Sequence, residues 1–182
     1  MTDNPTVNQS VGATNYRRGI RAAARGYWMA AFDYDQFWDA LDTAVRNGIP
    51  KAAYEGASQC KIQPNELSPQ EKREINNAIA SERSHIDGFA KFIEGNLKKD
   101  GGKWGTVAAR AEAWVNRYDQ VRQKIMALAC GDQKSRWTLG EAEHCRSCIK
   151  LSGKVKRNSY WARTGILPRV PGADFLECKG FL

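Results

Sequence analysis

Residues 104–131 read WGTVAARAEAWVNRYDQVRQKIMALACG and carry the longest regular pattern in the chain. In this stretch apolar side chains recur at alternating steps of four and three residues, at Val107, Ala111, Trp114, Tyr118, Val121, Ile125 and Leu128. An uninterrupted stripe of this kind is typical of one face of a single α-helix. Gly131 follows the last turn and predicts its end. The width of the stripe predicts antiparallel packing against a second helix.

The predicted partner helix has the clearest start signal in the sequence. Residues 68–71, SPQE, form a capping box with proline at the first helical position. The stripe that follows predicts one helix that runs to about Asn96, with Ile75, Ile79, Ile86, Phe89, Ile93 and Leu97 on its core face. Glu82 occupies a core-facing position in this stripe. Because a buried carboxylate needs a partner, we expect an arginine from another helix beside it.

The N-terminal part of the chain predicts an arm and then a helix. Residues 1–14 lack a periodic apolar signal, so they are predicted to be disordered, with order beginning near Asn15. Residues 16–31, YRRGIRAAARGYWMAA, predict a helix that two glycines weaken by about 1 kcal/mol each. Its arginines lie largely on one side, which is typical of a solvated face or of a phosphate contact: Arg17, Arg18, Arg21 and Arg25.

A further amphipathic helix follows, capped by Asp33 or Asp35. Gly48 and the nearby Pro50 predict its end. A short separate helix is expected at residues 51–57.

The composition is that of an ordinary globular protein of 182 residues, with 42% hydrophobic and 26% charged residues. No apolar run approaches the roughly 20 residues that a membrane helix needs. The N-terminus lacks the apolar segment of a secretory signal. The net charge of +8 lies at the ends of the chain, and residues 134–182 hold ten basic residues against four acidic ones. Positive ends suit contact with a polyanion or an acidic protein surface, although a basic tail can also be merely solvated.

The helical period disappears after Trp137. Residues 137–182 read WTLGEAEHCRSCIKLSGKVKRNSYWARTGILPRVPGADFLECKGFL, and the frequent glycines and prolines predict short strands, turns and one helical turn at 159–163. Apolar residues are few here, so a metal would supply the missing stability. The sequence therefore predicts a mainly α fold, with a helical domain at 15–133. A small, basic, irregular or β-containing C-terminal module at 134–182 holds the cysteines.

Cys145 and Cys148 form a CxxC knuckle, and Cys178 follows thirty residues later. A pair at this spacing can present two thiolates to one tetrahedral zinc ion. The five cysteines are an odd number in a chain without an export signal, which favours reduced thiols or metal ligands over a disulfide framework. Alternatively, these cysteines are reduced thiols that pack under Trp137 and Trp161.

A closed zinc site needs four donors, and these three cysteines leave one position open. His144 is the fourth candidate, although its side chain diverges from that of the adjacent Cys145. The other possible donors are Cys130, Asp174 or a residue beyond Leu182.

The tail also carries a recognisable pattern. It comprises Trp137, His144-Cys145, Cys148, Leu151, Gly153-Lys154-Val155, Trp161, Pro168 and Leu176-Glu177-Cys178. This pattern resembles the C-terminal segment of the tailed-phage head-morphogenesis proteins, the phage Mu F-like minor head proteins. In that family a helical region precedes a W…C..C..L.G.V segment, which ends in a proline-rich stretch and a cysteine cluster. The resemblance covers roughly the last quarter of the chain, and the helical run at 113–118 is compatible with it.

The resemblance implies a minor structural component of the virion. The cysteine usage and the lack of an export signal predict that it is assembled in the host cytoplasm. It would act at the portal or inside the prohead during head morphogenesis or DNA packaging. The implied partners are the portal or other head proteins and DNA, with no membrane contact. Family members have further cysteines after the position of Phe181, whereas this chain stops at Leu182, which puts zinc in question.

Function by adhesion rather than catalysis fits both the residues and the resemblance. Basic residues from the two ends of the chain are the expected contacts: Arg17, Arg18, Arg21, Arg25, Lys154, Lys156, Arg157, Arg163 and Arg169. Such phosphate contacts depend strongly on salt concentration.

Two other classes of function stay open. A zinc-knuckle regulator that binds specific DNA would need a recognition helix, which the Gly- and Pro-broken segment after Gly153 does not obviously provide. An enzyme or toxin carried in the virion would need Glu82, His85 and His144 to converge. The sequence contains no phosphate loop, GxSxG elbow or HExxH motif.

Overall fold

The structure, a computed structural model, describes residues 10–139, 143–167 and 176–177. The protein is mainly α-helical, as predicted, and its described part contains one two-stranded antiparallel sheet. Contacts between Cα atoms divide the chain into two compact units, each built from two separate stretches. The first unit holds the described residues of 1–51 and 79–118, and the second holds those of 52–78 and 119–182.

The first helix, α1 (Val11–Trp28), begins earlier than the sequence predicted. The Ser10 hydroxyl accepts a hydrogen bond from the Ala13 N–H at 3.1 Å and so caps the helix. Residues 11–14 are therefore helical rather than part of a disordered arm, and residues 1–9 lie outside the described residues.

The second helix, α2 (Tyr34–Ser58), is capped by Asp33, whose carboxylate accepts a hydrogen bond from the Gln36 N–H at 2.8 Å. It continues through Pro50, so the predicted end at Gly48 and the separate helix at 51–57 are wrong. A proline inside a helix removes a backbone hydrogen bond and costs about 3 kcal/mol or more. Complete burial of the side chains around it offsets this cost: Ile49, Ala52 and Ala53.

The helix that starts at the predicted capping box is shorter than expected. Ser68 and Glu71 accept hydrogen bonds from each other's backbone N–H groups, at 3.3 and 2.6 Å, and α3 (Pro69–Arg83) begins there. The chain then turns and continues as α4 (Ile86–Glu94), so the prediction of one helix to Asn96 is wrong. In the turn the Ser84 hydroxyl donates to the Ser81 carbonyl at 2.7 Å, a local bond that competes with helix continuation.

The longest helix, α5 (Trp104–Ala129), confirms the stripe that was read from the sequence. Six of the seven stripe residues are buried, and in the last turn Ala127 is buried instead of Leu128. Ion pairs link α3 to α5 within each unit, Glu82 with Arg117 at 2.5 Å in the first and Glu74 with Lys124 at 2.5 Å in the second. The reversed order of the partners confirms the predicted antiparallel packing.

Aromatic rings form much of the core of the first unit. The Phe37 ring is fully buried between Tyr27 and Phe89, with centroid distances of 4.8 and 6.0 Å. Phe89 stacks in turn on Trp114 at 5.8 Å. These contacts join α1, α2, α4 and α5, because each helix contributes one ring.

The second unit contains the sheet and two short helices. These follow the end of α5 in the order β1 (Lys134–Arg136), α6 (Arg146–Leu151), β2 (Val155–Arg157) and α7 (Asn158–Thr164). The unit also includes parts of α2, α3 and α5. Short strands and a helical turn near 159–163 were predicted, but the positions of the strands were not, and neither was α6.

The C-terminal segment has an apolar core that includes the end of α5. Its buried members are Ala127, Cys148, Leu151, Trp161, Ile166, Leu167 and Leu176. Trp137 packs against them, with its ring centroid 5.8 Å from that of Trp161. The expectation of a tail with too few apolar residues is therefore wrong. Ala127 belongs to α5, so this core joins the tail to the helix that precedes it.

A disulfide joins Cys60 to Cys130, whose Cα atoms are 5.6 Å apart. This pairing contradicts the expectation that the cysteines are reduced thiols or metal ligands, and it removes Cys130 from the possible zinc donors. Both residues belong to the second unit, so the bond links its two separate stretches of chain.

We expect the double variant Cys60→Ala, Cys130→Ala to lower the free energy of unfolding by about 4 kcal/mol, because the bond closes a long loop in the unfolded chain. The two cysteines are separated by 70 positions. Urea denaturation followed by circular dichroism measures the loss. With dithiothreitol the wild-type midpoint should approach that of the variant, and unchanged midpoints in both experiments would contradict the pairing.

Gly48 offers a test of how α1 packs on α2. A Cβ at this position would overlap the Tyr16 ring, whereas a Cβ at Gly88 in α4 meets nothing within 4 Å. Gly48→Ala should therefore destabilise the protein by about 1–3 kcal/mol through overpacking. The control Gly88→Ala should stabilise it by up to about 1 kcal/mol through helix propensity. Thermal melts of both variants should shift in opposite directions, and a rise in Tm for both would contradict the Tyr16 contact.

Candidate functional site

Five cationic residues lie on the two-stranded sheet of the second unit, three with side chains on one face and two on the other. β1 carries Lys134 and Arg136, β2 carries Lys156 and Arg157, and Lys154 immediately precedes β2. All five are exposed. These residues are termed the basic ribbon.

The register of the strands places like charges directly opposite each other. Lys134 is the Cα partner of Arg157, an arrangement that destabilises an antiparallel pair. Arg157 also lies 3.4 Å from the Asp132 carboxylate, but both side chains are largely exposed, so solvent screens this attraction. A bound anion would relieve the repulsion across the ribbon.

Backbone hydrogen bonds extend the pairing beyond both strands. The Trp137 N–H donates to the Lys154 carbonyl at 2.9 Å, and the Gly153 N–H donates to the Trp137 carbonyl at 2.9 Å. Gly153 has a φ of 78°, which allows the turn from α6 into β2. The Asn158 side chain is buried and donates to the Cys130 carbonyl at 3.1 Å. The cations therefore project from a frame that is fixed to the end of α5.

The sequence predicted only part of this surface. It singled out Lys154, Lys156 and Arg157, which lie in the basic ribbon, and Arg163, which is exposed on α7. Arg169 lies outside the described residues. Sequence reasoning missed Lys134 and Arg136. Their signal was the alternation of charge in KSR at 134–136, which places both side chains on one face of a strand.

The N-terminal arginines make contacts within the first unit. Arg17 and Arg21 form ion pairs with Glu112, at 2.9 and 2.8 Å. The guanidinium carbons of Arg21 and Arg25 lie 5.9 and 5.8 Å from the ring centroid of Trp104. Arg18 is exposed. The predicted phosphate-gripping face of α1 thus has a structural role in holding α1 to α5.

The CxxC pair lies at the start of α6. Cys145 is the cap residue and Cys148 is in the first turn, so their spacing of three places both on one side of the helix. Cys148 is buried in the apolar core of the tail, Cys145 packs against that core, and His144 is half-buried. This packing agrees with the alternative that thiols pack beside Trp137 and Trp161.

Glu177 brings the chain back to the first turn of α6. Its carboxylate accepts a hydrogen bond from the Arg146 N–H at 3.1 Å, and its own N–H donates to the Ser147 hydroxyl at 3.3 Å. Cys178, the next residue, and Asp174 lie outside the described residues.

Two of the three cysteines predicted to bind zinc, Cys145 and Cys148, lie in the described residues. Within residues 10–139, 143–167 and 176–177, no three His, Cys, Asp or Glu side chains come together. The two thiols on one helical turn fit half of a tetrahedral site, and a complete site needs Cys178 and a further donor.

Glu82 and His85, two of the residues that an enzyme would need, lie in environments that do not suit catalysis. Glu82 is buried and forms the expected ion pair with Arg117. Burial raises the pKa of the nearby Tyr16 above its usual range, and the Glu82 carboxylate raises it further. His85 is an exposed residue that precedes α4. The Glu82 carboxylate therefore has a structural partner, and no acid–base pair forms around it in the described part of the first unit.

Comparison of the chain with protein-family models, with curated proteins and with solved structures finds no match. None of the helices in the described ranges combines the length and hydropathy needed to cross a membrane.

Proposed function

We propose that the protein is a minor head protein of a tailed phage. It acts in the virion, at the portal or inside the prohead, and contributes to head morphogenesis or DNA packaging by adhesion. The pattern of residues in the tail that resembles the Mu F-like proteins supports the class of protein. The basic ribbon is the observation that carries the mechanism, because it offers fixed, exposed cations on both faces of a sheet to a negatively charged partner.

The proposal includes a structural zinc ion held by Cys145, Cys148 and Cys178, with His144 as a candidate for the fourth ligand. Zinc held by thiolates adds folding energy to a small module. Support comes from the two thiols on one turn of α6 and from the return of the chain to that turn at Glu177, the residue before Cys178.

A zinc-knuckle regulator of specific DNA sequences is the second candidate. It is less favoured because the two helices of the tail, α6 and α7, have only 6 and 7 residues. Readers of the major groove usually project several base-contacting side chains from one longer helix. A virion enzyme is also less favoured. It would need the Glu82 carboxylate for catalysis, and that carboxylate already forms an ion pair with Arg117.

The protein should co-sediment with purified phage heads, as detected by immunoblot. Replacing Lys134, Arg136, Lys156 and Arg157 by alanine should reduce its incorporation about tenfold or more, because several ionic contacts are lost together. A matched variant removes four exposed cations elsewhere: Lys72, Arg73, Lys91 and Lys99. It should incorporate normally. Absence of the wild-type protein from heads would refute the proposed function, and an equal loss in both variants would exclude a specific role of the ribbon.

Purified protein should contain one zinc ion per chain by metal analysis, and Cys145→Ser should lose it. The loss should also lower the melting temperature, because metal binding is coupled to folding of the tail. Ser159→Ala serves as the control, since Ser159 is exposed on α7 and is not among the proposed ligands, so zinc content and melting temperature should not change. Metal-free wild-type protein whose stability is unchanged by Cys145→Ser would contradict the zinc site.

A further inference from the structure

A cavity of about 280 Å³ opens in the second unit beside the basic ribbon. Residues from the end of α5, from β1 and the segment after it, and from α7 and the segment after it line this cavity. The apolar lining consists of Met126, Ala127, Trp137, Trp161, Ile166 and Leu167. Its volume is near the lower end of the roughly 300–1,000 Å³ found for ligand pockets. The space therefore suits one large apolar side chain better than a whole ligand.

The buried polar groups around the cavity already have partners. The Trp161 indole donates to the Ser135 carbonyl at 3.4 Å, and the Asn158 side chain donates to the Cys130 carbonyl. A nucleobase whose polar edge lay among the buried residues would find these two groups engaged, which costs free energy. An aliphatic or aromatic side chain carries no such cost.

Cationic residues lie directly at this cavity. Arg136 belongs to the basic ribbon and also lines the cavity. Ser135, which lines the cavity as well, lies between Lys134 and Arg136 on β1 and opposite Lys156 on β2. The Lys156 side chain shares the sheet face of Ser135, whereas Lys134 and Arg157 lie on the other face. An occupant of the cavity would thus have one cation from each strand near it, Arg136 and Lys156. Carboxylates on either side of an apolar anchor complement this arrangement.

We propose that the cavity and the basic ribbon together form a docking site for an acidic peptide segment of another protein. One apolar side chain of that segment fills the cavity, and flanking Asp or Glu residues pair with the ribbon. This inference rests on the proposed function, in which the partner is another head protein, and it selects an acidic protein segment over DNA as the ligand of the ribbon. Binding hot spots usually centre on an anchor side chain in a well-packed pocket, inside a polar, solvent-accessible rim.

The test uses the full chain and a ribosome-displayed library of random 12-residue peptides. Selected peptides should share one Phe, Trp, Leu, Ile or Met flanked by Asp and Glu. In fluorescence anisotropy at 150 mM salt, replacing that apolar residue by Ser should raise the Kd about tenfold or more. A 20-base-pair DNA duplex should bind more weakly than the selected peptide. Failure to enrich such peptides, or tighter binding of the duplex, would overturn the inference.

Variants of the protein locate the site. Thr138 is exposed and lines the cavity, so Thr138→Trp should fill it and weaken the peptide about tenfold. The control Thr106→Trp introduces the same side chain at an exposed position of the first unit and should bind like the wild type. Equal binding by both tryptophan variants would place the site elsewhere. Because the peptide substitution alters only the ligand, it tests the anchor even if Thr138→Trp does not fold. If Thr138→Trp no longer binds the peptide but still associates with phage heads, the peptide site is not what attaches the protein to heads. That result would overturn this inference and leave the proposed function standing.

Discussion

Packing of Trp161 against the end of α5 is the contact on which the C-terminal part of the protein depends. The Trp161 side chain is buried with Ala127 and the leucines of the tail, and its indole N–H holds the Ser135 carbonyl of β1. An aromatic side chain of this size contributes much of the buried apolar area of such a small core. Without it, the two strands would be an isolated pair, which is at best marginally stable in water. The ribbon, the cavity and the first turn of α6 are all positioned by this packing.

The positive charge of the ribbon has two physical explanations. Lysines on exposed strands protect sheet edges from pairing with other chains, and both strands of a two-stranded sheet are edges. Edge protection accounts for isolated lysines, but it does not require Lys134 to face Arg157 across the register. That placement costs stability in the free protein, and a ligand with negative charge offsets the cost. Association with an acidic partner therefore explains more of the arrangement than edge protection does.

Local signals determined which elements could be predicted from the sequence. The stripe of α5, the capping box at Ser68 and the arginine partner of Glu82 were all predicted, because each depends on spacing along one helix or on the cost of a buried charge. The passage of α2 through Pro50 was not predictable, since burial of its neighbours overrides a local stop signal. The disulfide and the pairing of Lys134 with Arg157 join residues far apart in sequence, and no local pattern encodes such contacts. For the same reason the sequence named three of the five ribbon residues and missed the cavity beside them.

The disulfide between Cys60 and Cys130 would form later than the rest of the fold. The host cytoplasm keeps thiols reduced, so a chain that is assembled there, as proposed, would fold with both cysteines reduced. Oxidation would follow only after lysis releases the particle into an aerobic medium. The fold would then gain a covalent crosslink outside the cell, where chaperones cannot refold the protein and newly synthesised chains cannot replace it. Its kinetic stability in the released particle would therefore exceed its kinetic stability during assembly.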